Sequence, residues 1–109
     1  MNMNKKERNA MEQEIQILLF VPGEPPKRKE IPNTLKAFQQ EVGGYIQSVR
    51  FADGMELICN EEGRLLDLPE NRLGIRGTFF LVRTQGEEFV SLTDDDISHL
   101  MNLFMEAQT

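Results

Sequence analysis

The dipeptide Asp53-Gly54 constrains the fold of this chain more than any other feature. Two-residue loops of this type tolerate the positive φ angles that turn a strand back onto itself. Before it, Tyr45, Gln47, Val49 and Phe51 occupy alternate positions of the segment Tyr45–Ala52. After it, Met55, Leu57 and Cys59 share one face of Met55–Asn60. A period of two on both sides of a tight turn predicts an antiparallel hairpin.

The rest of the chain is read outward from that hairpin. In Glu14–Val21, Ile15, Ile17 and Leu19 make one face apolar throughout, and Leu18 and Phe20 make the other apolar toward the end. This pattern predicts a central strand buried on both sides in its second half. Pro22-Gly23-Glu24-Pro25-Pro26 breaks the chain. Lys27–Ile31 is expected to follow as an edge strand, because its basic side chains discourage further pairing. Asn33 is the expected N-cap of a helix with Leu35, Phe38 and Val42 on one face, stopped by Gly43-Gly44. Thr78–Thr84, a Gln85-Gly86 turn and Glu88–Ser91 read as a second hairpin. Thr93 caps a final helix that opens on Asp94-Asp95-Asp96 and carries Ile97, Leu100, Met101 and Phe104 at helical spacing.

The order is therefore β-β-α-β-β-loop-β-β-α. It predicts an α+β fold: a mainly antiparallel sheet of about five or six strands with two helices, both on one face. Residues 1–13 read as a flexible polar tail and 14–109 as a single domain, since 109 residues fit one core and not two. Glu61–Gly77 is the least regular stretch, and its leucines are expected to anchor it to the core.

Charge and composition narrow the function. The net charge of −6 divides into +2 over residues 1–40 and −8 over 41–109. An acidic folded half repels a phosphate backbone and argues against nucleic-acid binding, although Lys5/Lys6/Arg8 and Lys27/Arg28/Lys29 form short basic clusters. The longest apolar run, Ile17–Val21, is far short of a membrane span, and the N-terminus lacks a signal-peptide apolar region. The lone Cys59 forms no intrachain disulfide and suits a reducing cytoplasm. A cytoplasmic protein is expected.

Candidate chemistry is sparse. His99, the single histidine, lies off the apolar stripe of the last helix, with no nucleophile placed beside it. Cys59 shares an apolar strand face and reads as a small buried hydrophobe. Asp94-Asp95-Asp96 lacks the spacing of a calcium loop and is explained by helix capping. Gly43-Gly44 is no phosphate loop. No cofactor, metal or catalytic group is expected, and the protein reads as a non-enzyme. The densest polar constellation is Asn60, Glu61, Glu62 and Arg64, followed by Asn71 and Arg72. Its amides and carboxylates suit a base edge or a peptide, and its arginines suit a phosphate or carboxylate. A plainer reading competes with this one: Asn60 and Asn71 bond backbone in turns, and the charges are solvated.

The succession Val42-Gly43-Gly44-Tyr45-Ile46, Ile58-Cys59-Asn60-Glu61-Glu62-Gly63-Arg64-Leu65, Leu68-Pro69-Glu70-Asn71-Arg72, Gly77-Thr78-Phe79-Phe80-Leu81-Val82 and Phe89-Val90-Ser91-Leu92-Thr93-Asp94 resembles domain of unknown function 3846. That family is common in phages, plasmids and conjugative elements of Firmicutes. The likeness spans about residues 14–104. Leu73-Gly74-Ile75-Arg76-Gly77 departs from it, being shorter than the family's usual run before the glycine.

The resemblance implies a small accessory protein of a mobile element and carries no established activity. Two functions are expected from it. The first is binding of a host protein in the host cytoplasm, in host takeover or counter-defence. The second is sequestering of a small nucleotide-type signalling ligand in a pocket around Asn60–Arg72, as a dimer. The broad stripe Ile97–Met105 favours a homodimer through the C-terminal helix.

Overall fold

In the computed structural model, which describes residues 14–106, the alternation of β1 (Glu14–Phe20) divides the molecule into two cores. Ile15, Ile17 and Leu19 point to one side of the sheet, and Leu18 and Phe20 to the other. The remaining elements are β2 (Lys27–Pro32), helix α1 (Leu35–Val42), β3 (Ile46–Ala52), β4 (Met55–Asn60), β5 (Phe79–Gln85), β6 (Glu88–Val90) and helix α2 (Asp94–Glu106). A 3-10 turn spans Arg72–Gly74. The six strands form one antiparallel sheet in the order β2-β1-β5-β4-β3, with β6 paired to the end of β5. The α+β class, the hairpin at Asp53-Gly54 and the edge position of β2 follow the sequence pattern. The tail expected at residues 1–13 lies outside the described residues.

The two helices do not share a face. On one side, Ala37, Phe38 and Val42 of α1 pack with Ile15, Ile17, Leu19, Ile31, Ile58, Phe80 and Val82. On the other, Ile97, Leu100 and Phe104 of α2 pack with Leu18, Phe20, Leu57, Cys59, Phe79 and Leu81. The reason lies in β1 and β5. Consecutive apolar residues present hydrocarbon to both sides, and each fully buried Phe, Leu or Ile contributes about 1.5–3 kcal/mol only when its own side is covered. One helix per face is the solution. Leu103 and Met105 of α2 stay outside this packing.

The start of α1 also differs from expectation. Thr34, not Asn33, is the N-cap: its hydroxyl accepts from the Ala37 N–H at 3.1 Å. Asn33 instead donates its amide to the Phe89 carbonyl at 3.0 Å, tying the helix entry to β6. An amide side chain can donate where a hydroxyl cap need only accept, so the two residues divide the work. Leu35, in the first turn, is exposed, and Ala37 packs in its place. At the other end Gly43 adopts φ 80° and closes the helix on the Gln39 carbonyl.

Helix α2 begins with reciprocal capping. The Thr93 hydroxyl accepts from the Asp96 N–H at 3.0 Å, and the Asp96 carboxylate accepts from the Thr93 N–H at 2.9 Å. The same carboxylate receives a two-pronged contact from Arg83 of β5, at 2.8 Å from Nε and 2.7 Å from Nη2. Gly54 makes room for this arginine, because a Cβ there would stand 2.7 Å from Arg83 Nη1. The β3–β4 turn, the exit of β5 and the entry of α2 therefore converge on one ion pair.

Arg83 hydrogen bonds, helped by the Thr93 N–H and opposed by burial, lower the Asp96 pKa from 3.8 to about 2. A carboxylate with a lowered folded-state pKa stabilises the fold fully above its unfolded pKa, and that contribution fades as pH falls toward the folded value. Here the window runs from about pH 4 down to about pH 2. Urea unfolding across this window should show wild type losing stability that Asp96→Asn does not. The difference between the two should be at most about 2 kcal/mol at pH 7, since solvent reaches Arg83, and should vanish near the bottom of the window.

Candidate functional site

The segment between β4 and β5 is held by polar side chains. Asn60, at the end of β4, is 5% exposed. Its amide donates to the Val42 carbonyl at 3.1 Å, and its oxygen accepts from the Glu62 N–H at 2.7 Å. That pair of bonds fastens the end of α1 to β4 and starts the turn. Gly44 lies against the Asn60 amide, where a Cβ would come within 2.9 Å. The chain then coils through bonds from Leu66 N–H to the Glu62 carbonyl and from Leu68 N–H to the Gly63 carbonyl. Gly63 is buried, and a Cβ on it would meet the Arg76 carbonyl at 2.6 Å.

Asn71 closes the far limb. Its amide donates to the carbonyls of Phe20 at 3.0 Å and Gly77 at 2.8 Å, and its oxygen accepts from the Arg72 N–H at 2.7 Å. Arg76 adds contacts to Asp67 at 3.1 Å, to Glu70 at 3.5 Å and to the Leu68 carbonyl at 3.3 Å. Two non-glycine residues, Asp67 at φ 56° and Leu73 at φ 62°, occupy the left-handed region. For leucine that conformation is costly, so the surrounding bonds must enforce it.

The leucines do not anchor the loop as expected. Leu65 is 79% exposed, Leu66 52% and Leu73 54%, and nearby Tyr45 is 66% exposed. Anchoring falls instead to Asn60, Asn71 and Arg76, with Ile75 packed against the core. Once polar bonds to β1, α1 and the loop's own backbone fix the path, Leu65, Leu66 and Leu73 are left facing outward, while half-buried Leu68 lies against Gly77.

The six residues singled out from sequence fall into two groups. Asn60, Glu61, Glu62 and Arg64 line an open groove of about 410 Å³ with Gln47, Cys59, Leu65, Ile75 and Arg76. Asn71 and Arg72 line a second groove of about 490 Å³ with Gly23, Glu24, Pro25 and Glu70. A third, of about 390 Å³, bridges them through Arg64, Asn71 and Arg76. Both asparagine amides are engaged with backbone. A fourth groove of about 460 Å³ is lined by Lys36, Gln39, Gln40, Gly43, Gly44, Tyr45, Glu62 and Leu66. Sequence reasoning missed Arg76, Tyr45 and the exposed leucines. The available signal was the Leu65-Leu66 doublet, which fits neither a strand nor a helix period.

The other chemistry-bearing groups are accounted for structurally. Burial pushes the Cys59 thiol up, away from the thiolate that a nucleophile needs. His99 is exposed, with Nδ1 2.9 Å from the Asp95 carbonyl one turn earlier. Among the described residues no cluster of three or more His, Cys, Asp or Glu is arranged to hold a metal. Nor is any helix among them long and apolar enough to cross a membrane.

The contrast between Asn71 and Leu65 is measurable. Asn71→Ala leaves the Phe20 and Gly77 carbonyls and the Arg72 N–H without their partner and should cost about 2–3 kcal/mol in chemical unfolding. Leu65→Ser, at an exposed position, should stay within about 0.5 kcal/mol of wild type.

No curated protein and no solved structure matches the chain. The family model described as Domain of unknown function (DUF3846) matches residues 15–105, which spans both cores, the hairpin at Asp53-Gly54 and the whole pinned loop. The chain belongs to that family.

Proposed function

We propose that this protein acts by binding another protein, with the 61–77 loop and Tyr45 as its contact surface. The observation that carries this reading is topological. Cys59 of β4 and Phe79 of β5 are already paired neighbours in an antiparallel ladder, so a short turn would join the strands. The chain instead makes an excursion from Glu61 to Thr78, pins it through Asn60, Asn71 and Arg76 and turns three leucines outward. Pinning matters because a preordered surface loses less entropy on association. Each large apolar side chain that a partner buries contributes about 1.5–3 kcal/mol, and a few such anchors dominate most interfaces.

Glu61, Glu62, Asp67 and Glu70 surround the leucines with exposed carboxylates. The complementary partner is a protein with an apolar pocket rimmed by Lys and Arg. The family's occurrence in phages, plasmids and conjugative elements makes a host protein the fitting target, met in the host cytoplasm in host takeover or counter-defence. On this reading the protein is not an enzyme. The burial of Cys59, the exposed position of His99 on its helix and the engaged amides of Asn60 and Asn71 support contact and not turnover.

Affinity capture from a bacterial host lysate tests the proposal. Wild type should retain a stoichiometric partner that Leu65→Asp/Leu66→Asp loses at least about tenfold, at an unchanged thermal midpoint. Absence of any partner, or equal capture by the variant, counts against it.

A second reading, sequestering of a nucleotide-type ligand, draws on Arg64. Its guanidinium has no side-chain partner among the described residues, and the residue lines both the groove of about 410 Å³ and that of about 390 Å³. A thermal shift with a nucleotide, abolished by Arg64→Ala, would favour this reading; no shift across a nucleotide panel would end it.

A further inference from the structure

The sheet has two outer edges, and they are treated differently. The outer edge β2 carries Lys27, Arg28, Lys29 and Pro32, the residue types that block further pairing. The other edge, β3, carries one charged residue, Arg50. Four consecutive residues, Gln47, Ser48, Val49 and Arg50, are exposed although their side chains alternate between faces, so neither helix covers this middle stretch, whereas Ile46 and Phe51 at its ends pack on the two cores. A register irregularity between Arg50 and Ala52 distorts its end and leaves Ile46–Arg50 regular.

The direction of the free backbone groups follows from the ladder. The Tyr45 carbonyl accepts from the Glu61 N–H at 2.8 Å, so Tyr45 faces β4. Antiparallel residues alternate between facing one neighbour and the other. Gln47 and Val49 therefore also face β4, while Ile46, Ser48 and Arg50 direct their N–H and C=O groups outward. Among the described residues nothing pairs with that outward row.

We propose that β3 pairs antiparallel with β3 of a second copy about a two-fold axis at Ser48, making the two sheets one. A second copy supplies a row that matches this one in length and register. Centred on Ser48, the outward groups of Ile46, Ser48 and Arg50 meet those of Arg50, Ser48 and Ile46 of the copy, and every one of them finds a partner. An axis at Val49 would push Ile46 against the irregular end of the copy's strand. The side chains agree with the pairing. Arg50 lies opposite Ile46 of the copy, never opposite its own equivalent, so no like charges face each other. Arg50 also stays beside Glu56 of its own chain, at 3.7 Å. On the other face, exposed Val49 lies opposite Gln47 of the copy. Such an interface is isologous and closed, as two-fold assemblies require. It involves β3 and neither the exposed residues of α2 nor the leucines of the 61–77 loop, although Tyr45 and Gln47 border the loop surface proposed above.

Two variants at Ser48 test the pairing. Ser48→Pro removes an N–H that faces away from β4, a position where an edge strand accepts proline. It should preserve the circular dichroism spectrum while converting a dimer into a monomer in sedimentation equilibrium across the micromolar range. Ser48→Cys places two thiols across the axis, with Cα atoms about 5.5 Å apart, within disulfide reach. Mild oxidation should give a covalent dimer mapped to that position, with Cys59 unreacted. A wild-type protein that is monomeric throughout overturns the proposal. So does a dimer that survives Ser48→Pro, or one that fails to cross-link as Ser48→Cys, since either places the interface elsewhere. A monomer that takes up a strand of a different protein along β3 also overturns the second copy as occupant. Should Ser48→Pro fail to fold, the cross-linking result decides.

Discussion

Phe79, Phe80, Leu81 and Val82 are fully buried in succession, and the architecture follows from that run. A strand with no solvent-facing side must lie between two others and beneath cover on both faces. β5 accordingly pairs with β4 on one side and with β1 and β6 on the other. The aromatic contacts divide the same way. Phe80 meets Phe38 of α1 edge to face at 5.4 Å, whereas Phe79 stacks on Phe20 at 4.6 Å, and Phe20 in turn meets Phe104 of α2 at 4.8 Å. Moving either helix to the opposite face would expose half of this run, so two helices on two faces is a consequence of four residues.

Polar contacts then fix what burial leaves free. Burial is non-directional: it requires that α2 cover Phe79 and Leu81 but sets neither where the helix begins nor how it is aligned. The two-pronged Arg83–Asp96 contact supplies both, because its geometry is planar and its carboxylate already caps the helix. Asn71 does the same for the loop. By donating to the end of β1 and to Gly77 together, it sets the loop's position relative to the sheet without any apolar contact. The loop's leucines are therefore released from packing duty.

This division explains what the sequence shows openly and what it hides. The Asp53-Gly54 hairpin, the two-sided β1, the charged edge β2 and the Thr93 cap are written in neighbouring residues, where period and turn chemistry act locally. The helix faces are not, since Phe38 and Phe104 look alike on their own helices until the sheet between them is assembled. Asn33 and Thr34 are both good caps, and only the Phe89 carbonyl, brought near by β6, decides between them. Arg83 and Asp96 meet across a turn of the sheet, and Asn71 meets Phe20 from 51 residues further along the chain. In the candidate site, the backbone-bonding reading of Asn60 and Asn71 was legible from their place beside turns. The exposure of Leu65, Leu66 and Leu73 was not, because it depends on those distant polar anchors.

The acidic balance of residues 41–109 acquires a physical role in this setting. Exposed leucines on a pinned loop and an unprotected strand edge both invite unselective association. Net charge of one sign opposes that association between copies at long range, while short-range complementarity still permits a specific contact. Around the leucines, Arg76 neutralises Asp67 and Glu70 in part, and no side chain pairs with Glu61 or Glu62 among the described residues. Along Ile46–Arg50 of β3 the balance reverses: the strand holds no carboxylate, and its one charge is already met by Glu56. The loop therefore meets an approaching surface with negative charge, whereas β3 offers a nearly neutral row of hydrogen-bonding groups. On the two proposals, negative charge disfavours like-charged copies at the first surface and is nearly absent from the second.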